Sequence, residues 1–191
     1  SSSQSNNQVL EKHQPRLEEK AVANAAAGNQ RELYDPALKP DTSVYYEERG
    51  ACIHSARIER IDGTPCNVLQ GGKLYKLCYQ VDFQEPLENV AFGFTAKTTN
   101  GLVLAGAGAS KSQASLVRYI EAGKRAIVAY HFTCNLLAGT YFLTIGCSGV
   151  GTGERIMAHR AVDVLAFKVL PEFDSIATGY FDLQPRLDYR L

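Results

Sequence analysis

Residues 75–83 read Tyr75-Lys76-Leu77-Cys78-Tyr79-Gln80-Val81-Asp82-Phe83. Tyr75, Leu77, Tyr79, Val81 and Phe83 fall on one parity; Lys76, Cys78, Gln80 and Asp82 fall on the other. Side chains switch faces at every residue of a strand, so this pattern describes a strand with one face in a core and one face free. The same alternation recurs at Val90, Phe92, Phe94 and Ala96, at Ala126, Val128, Tyr130 and Phe132, and at Tyr141, Leu143, Ile145 and Cys147. Turn-forming runs separate these stretches: Asp62-Gly63-Thr64-Pro65, Asn100-Gly101 and Ala138-Gly139-Thr140. Short half-buried strands punctuated in this way predict an all-β, antiparallel sandwich.

Working outward, the alternation places strands at about Cys52–Ile61, Asn67–Gln70, Lys73–Phe83, Val90–Lys97, Leu102–Ala105, Arg125–Thr133, Tyr141–Gly146, Val162–Leu170 and Tyr180–Leu183. Upstream, Ser1 to Lys12 is polar. Pro15 stands at a first helical position, Arg16 to Ala27 is rich in Glu, Lys and Ala, and Gly28 follows as a stop. Residues 1–42 therefore read as a linker with a short helix, and residues 43–191 as the sandwich. Ala107 to Gly123 is long for a loop and reads as a helical turn around Ser115–Glu121 or as a binding loop. Glu154 to Val169 can be wound as a helix behind the glycines of 146–153. Those glycines lack the G-x-G-x-x-G spacing, so Gly146–Gly153 is read as a flexible loop and the segment after it as a buried strand.

Composition removes several function classes. Across 191 residues, 20 basic side chains balance 20 acidic ones, leaving no general electrostatic pull on nucleic acid or an anionic membrane. No apolar run approaches the roughly 20 residues that span a bilayer, and the N-terminus has no signal-peptide pattern. The first residue is not Met, which suggests a chain excised from something longer. The five cysteines, Cys52, Cys66, Cys78, Cys134 and Cys147, show no paired metal or redox spacing. They read as reduced structural thiols in a cytosolic protein. His13, His54, His131 and His159 lack ligand-like spacing, so no metal is expected.

No catalytic constellation stands out either. Glu47, Glu48, Asp62, Asp82, Glu121 and Asp163 offer carboxylates, but none sits in a distinctive motif. Ser148 follows Gly146-Cys147, which is not a nucleophile elbow, and His131 and Cys134 have opposite parity on a strand end. Carbohydrate binding asks for less: aromatic faces and fixed polar groups. The outward parity carries Gln80, Thr95, Lys97, His131, Thr133 and Thr144, a face suited to an oligosaccharide and equally to plain solvation. A sugar is expected across one outward sheet face holding Gln80, Thr95, His131 and Thr144.

The order of the segments carries a resemblance. Gly50-Ala51-Cys52-Ile53 opens a strand that ends at Asp62-Gly63-Thr64-Pro65, and Leu69-Gln70-Gly71-Gly72 precedes the long alternating strand. Val90-Ala91-Phe92-Gly93-Phe94 leads to Thr99-Asn100-Gly101-Leu102-Val103; Asn135 to Leu143 comes later. From about Ser43 to Leu183 this order resembles the C-terminal carbohydrate-binding domain of Wzt-type ATP-binding subunits, which serve polysaccharide ABC exporters of bacterial O-antigen. The resemblance implies an immunoglobulin-like sandwich that recognises the end of a completed glycan without catalysis. It implies two copies associating through exchanged C-terminal strands, and a location at the cytoplasmic face of the inner membrane. The implied partners are O-antigen polysaccharide, an upstream ATPase domain that would hold the ATP, and a transmembrane exporter subunit. No cofactor is expected within this domain. Two rivals remain open: a glycan-modifying enzyme on a sandwich scaffold, and a ligand-free dimerisation domain.

Overall fold

The computed structural model describes residues 34–108 and 115–190. The helix expected over 16–27 lies outside the described residues. Among the described residues there are ten strands: β1 (Val44–Tyr45), β2 (Ala51–Arg60), β3 (Val68–Leu69), β4 (Leu74–Phe83), β5 (Leu87–Thr98), β6 (Val103–Gly108), β7 (Val117–Ile120), β8 (Arg125–Thr133), β9 (Gly139–Val150) and β10 (Arg155–Val169). They form two sheets. The larger runs β1-β10-β9-β5-β6, with β3 added on β10 and β7 on β5; the smaller runs β2-β4-β8. All pairings are antiparallel except β3 with β10, which is parallel.

The decisive alternation holds at β4. Tyr75, Leu77, Tyr79, Val81 and Phe83 are all at most 2% exposed, and they face Val90, Leu143, Ile145, Cys147 and Phe167 from the other sheet within one core. Burial of this kind stabilises each large side chain by about 1.5–3 kcal/mol. Polar ties cross the core as well. The Tyr79 hydroxyl reaches the Gly93 carbonyl at 3.4 Å, the Tyr130 hydroxyl donates to the Phe92 carbonyl at 2.9 Å, and the Ile53 N–H donates to His159 Nδ1 at 2.8 Å. Each satisfies a group that would be costly to bury unpaired.

Several expectations need correction. Gly146–Gly153 is not a loop: β9 continues through it to Val150, and only the turn before Arg155 is irregular. Small residues there lower local strand propensity, but β5 and β10 pair the segment on both sides and supply its hydrogen bonds. The segment after Gly153 is strand, as read, but it begins at Arg155 rather than at Val162. Ala107–Gly123 is not one loop, since β6 reaches Gly108 and Val117–Ile120 pairs with β5 as β7. Tyr180–Leu183 forms no strand. A single bridge joins Phe181 to Leu136, flanked by bonds from Leu137 N–H to the Tyr180 carbonyl (2.9 Å) and from Asp182 N–H to the Asn135 carbonyl (2.8 Å). Beyond it Leu183, Leu187 and Tyr189 stand 72–86% exposed.

Candidate functional site

The outer face of the larger sheet carries an open trough of about 220 Å³. Its floor follows from register. Gly108 of β6 pairs with Gly93 of β5, Gly93 pairs with Gly146 of β9, and Gly146 pairs with Arg160 of β10. Directly paired residues in an antiparallel sheet point to the same face, so three adjacent strands present bare backbone in one transverse row. At a strand spacing near 4.8 Å, that row is about 10 Å wide. A methyl group on Gly93 would stand 3.0 Å from the Ala107 carbonyl oxygen, a tight contact, so the close approach of β6 favours glycine there. One on Gly146 would meet the flexible end of Met157 at 3.5 Å and the His159 carbonyl oxygen at 3.8 Å, both ordinary contacts.

Hydroxyls flank the floor. Thr95 and Thr144 are register partners on one side; Ser148, paired with Ala91, is on the other. Ser148 Oγ accepts a bond from the Arg155 guanidinium at 3.0 Å, and the same guanidinium reaches the Asn89 carbonyl at 2.9 Å. Arg160 lines the β10 end of the trough. Its guanidinium lies 5.9 Å from the centre of the Tyr46 ring, and the Tyr46 N–H bonds the Arg160 carbonyl at 2.9 Å. The adjoining Tyr45 ring stacks on buried His159, centroids 6.3 Å apart.

Beside Thr144, β10 breaks register between Ala161 and Leu165, and Asp163 takes up the irregularity with φ +52°. Asx residues tolerate this left-handed conformation best among those with a side chain. Asp163 is 4% exposed. Its carboxylate takes Lys97 Nζ at 2.7 Å and the Thr42 hydroxyl at 2.7 Å; its N–H donates to Thr144 Oγ1 at 3.2 Å, and its carbonyl accepts from Ser43 Oγ at 2.6 Å. One residue thus ties the chain entering the sandwich to the wall of the trough.

The four residues expected on one face are divided between the two sheets. Thr95 and Thr144 come together in the trough. Gln80 and His131 lie on the outer face of the smaller sheet, where Gln80 pairs with Ile127 and His131 with Lys76. Parity gives inward or outward, but it does not give the sheet, and that is the source of the error. Thr144 is also only 6% exposed, because the Asp163 bulge covers it.

The smaller sheet's face is already occupied by charge pairs. Asp82 takes Arg125 at 2.5 and 2.8 Å and His54 at 3.1 Å; Glu59 takes Arg57 at 2.6 Å and Lys76 at 3.0 Å. The hydrogen bonds from Arg125 hold the Asp82 carboxyl below its usual range. Burial pushes Glu59 up, but its bonds to Lys76 and Arg57 outweigh this and leave it lowered. Both acids are therefore ionised and satisfied, with little left to offer a ligand.

Nucleophilic sulfur is not available in the core. All five cysteines are free thiols, and burial pushes Cys147 up to about 12. Such a group stays protonated at neutral pH. Among the described residues, no three His, Cys, Asp or Glu side chains are placed to share a metal ion, and no helix is long and apolar enough to cross a membrane. The trough residues that sequence reasoning missed are Gly93, Gly108, Gly146 and Arg160. For the three glycines the signal was glycine in or beside strand patterns, which marks close backbone approach or open space above the sheet; Arg160 carried none.

Known proteins place this architecture. The family model of the Wzt C-terminal domain matches residues 43–183. No curated protein matches. Nineteen solved chains do, among them the crystal structure of the C-terminal domain of wzt, at TM-score 0.69 and 21% identity over 82% of this chain and 93% of that one. That likeness establishes the fold, and with it the all-β antiparallel reading of the sequence. Matched across most of its length, the chain belongs to the Wzt C-terminal domain family.

Proposed function

We propose that this domain is a non-catalytic carbohydrate-binding module of an ABC polysaccharide exporter, recognising O-antigen glycan in the trough of the larger sheet. The supporting observation is the row Gly108–Gly93–Gly146, an open strip of backbone between the hydroxyls of Thr95 and Ser148. Sugar rings need flat space and many modest hydrogen bonds, and this surface offers both. The family membership and the free thiols agree with a place at the cytoplasmic face of the inner membrane, beside an ATPase domain and a transmembrane subunit.

Calorimetric titration of the intact chain with a panel of O-antigen polysaccharides tests the reading. Binding is expected to survive His131→Ala, on the smaller sheet, and to be lost when the trough is filled. Loss on His131→Ala, with binding retained in the filled trough, would move the site to the Gln80–His131 face. Product release from the glycan by the purified domain would favour the rival enzyme.

The second part of the proposal is a homodimer with exchanged C-terminal segments. Ile176, Leu183, Leu187 and Tyr189 are 62–86% exposed, apolar side chains open to solvent in one copy. A cleft of about 270 Å³ lined by Leu136, Ala138, Val169 and Pro171 lies beneath the same segment. Exchange of identical elements closes such a pair at low cost. Light scattering at micromolar concentration is expected to give a dimer for the intact chain and a monomer or aggregate after truncation before Gly179. A monomeric intact chain, or a truncated chain that stays a stable dimer, rules the exchange out.

A further inference from the structure

The chain enters the sandwich along a strap, residues 35–43, fastened across a gap in one sheet edge. The outer edge of β10 pairs with β1 at Ala161 and Val162 and with β3 at Lys168 and Val169. Between them, residues 163–167 have no strand beside them on that edge among the described residues. At one end of the gap the Asn67 side chain grips the backbone of Asp35. Its Oδ1 accepts the Asp35 N–H and its Nδ2 donates to the Asp35 carbonyl, each at 2.7 Å. Asn67 is 7% exposed, and its own carbonyl accepts the Lys168 N–H at 2.8 Å, which fixes the grip to β10. At the other end the Thr42 hydroxyl donates to the Asp163 carboxylate at 2.7 Å, and the Ser43 hydroxyl donates to the Asp163 carbonyl at 2.6 Å.

Local sequence prepares the first fastening. Asp35 precedes Pro36, and its Oδ1 accepts the Ala37 N–H at 2.9 Å while its carbonyl accepts the Leu38 N–H at 3.2 Å. This turn orders in advance the residue that Asn67 takes. Little else holds the strap. From Asp35 to Ser43 every residue is exposed except Leu38 and Pro40, which are half-buried. A segment with so little apolar burial depends on its polar fasteners and opens locally when they let go. The two fasteners differ in depth. Asp163 is 4% exposed, also holds Lys97, and β1 starts directly after Ser43. Asn67 holds the backbone of a single exposed residue.

We propose that the strap is a clasp, with Asn67 as its latch and Asp163 as its pivot. Release at Asn67 frees the chain from Asp35 to the pivot while Thr42 and Ser43 stay held. It bares the 163–167 edge of β10 and lengthens the tether to the preceding chain by up to about 24 Å at full extension. The latch therefore sets how far the sandwich stands from whatever precedes it. This does not rest on the glycan reading of the trough.

Amide hydrogen exchange of the intact chain, read residue by residue by NMR, tests the clasp. Three amides mark its parts: Asp35 at the latch, Tyr46 beyond the pivot, bonded to the Arg160 carbonyl at 2.9 Å, and Tyr79 in the central strand β4. In the parent, Asp35 is expected to exchange about 10-fold or more slower than an unstructured amide, and faster than Tyr46 and Tyr79. Its exchange is expected to be nearly independent of urea, because opening the strap exposes little surface, whereas that of Tyr79 rises steeply with urea. Asn67→Ala is expected to speed exchange at Asp35 by about 10-fold or more, the worth of two hydrogen bonds, with Tyr79 still the slowest of the three. Should that variant fail to fold, the parent's urea dependence decides. An Asp35 amide that is unprotected, or that follows Tyr79 in its urea dependence, overturns the clasp. An unchanged Asp35 rate in Asn67→Ala overturns the latch, and Tyr46 exchanging together with Asp35 overturns the pivot.

Discussion

Gly146→Leu is expected to weaken glycan binding by about 30-fold or more while leaving the fold intact. A loss of that size corresponds to about 2 kcal/mol, the scale of one central contact in an interface. The argument is spatial. Gly146 is the middle of the β9 segment that faces the trough, between Thr144 and Ser148, and any side chain placed there projects over the floor. Its first carbon would meet Met157 Sδ at 3.5 Å, a flexible end that can turn aside, and the His159 carbonyl oxygen at 3.8 Å, an ordinary contact distance. No positive φ has to be kept at this position, so a larger residue brings no backbone strain. Gly146→Ala serves as the graded control, with a smaller loss of affinity. The thermal midpoint reports the fold and calorimetry reports the affinity. Undiminished binding by a folded Gly146→Leu domain would show that the glycan does not lie on this strip.

Asp163→Ala is expected to lower unfolding stability by about 3 kcal/mol, seen in a denaturant titration as a lower midpoint at unchanged slope. Removing one member of a buried pair strands the other. Lys97, whose side chain is 18% exposed, would keep its charge with no carboxylate beside it, and the Thr42 hydroxyl would lose its acceptor. Partial exposure lets Lys97 turn toward water, which places the expectation at the lower end of the range for buried pairs. Alanine at φ +52° adds roughly 1 kcal/mol of backbone cost within that total. Asp163→Asn separates the two contributions, since asparagine accepts the left-handed conformation and loses only the charge. Pairing it with Lys97→Met is expected to recover part of the loss, because the stranded ammonium is then gone. A midpoint within experimental error of the parent for Asp163→Ala would mean that the bulge is not held by this pair.

What the chain alone determined is tied to periodicity. Tyr75 to Phe83 alternates at every residue, and each residue assigned inward there is buried, because strand parity is local and needs no knowledge of the partner strand. Residues 139–150 were legible only to Gly146. From there Gly146, Ser148, Gly149 and Gly151 carry no apolar alternation, and the strand continues because β5 and β10 supply hydrogen bonds on both sides. Tyr180–Leu183 failed in the opposite sense. Its aromatic pattern reads as strand, but among the described residues of one copy only Leu136 offers it a bridge.

The site divides along the same line. Thr95 and Thr144 were identified by outward parity and are register neighbours, while Gln80 and His131 have the same parity on the other sheet. Parity is a property of one strand; membership of a sheet is a property of pairings between residues far apart in sequence. The sequence therefore determined that these are strands and which way each side chain points. Only the tertiary structure decided that Gly108, Gly93, Gly146 and Arg160 share one row, since nothing local makes β6, β5, β9 and β10 neighbours in that register. Their adjacency comes from long-range pairing and core packing, and the trough exists only once that register is set.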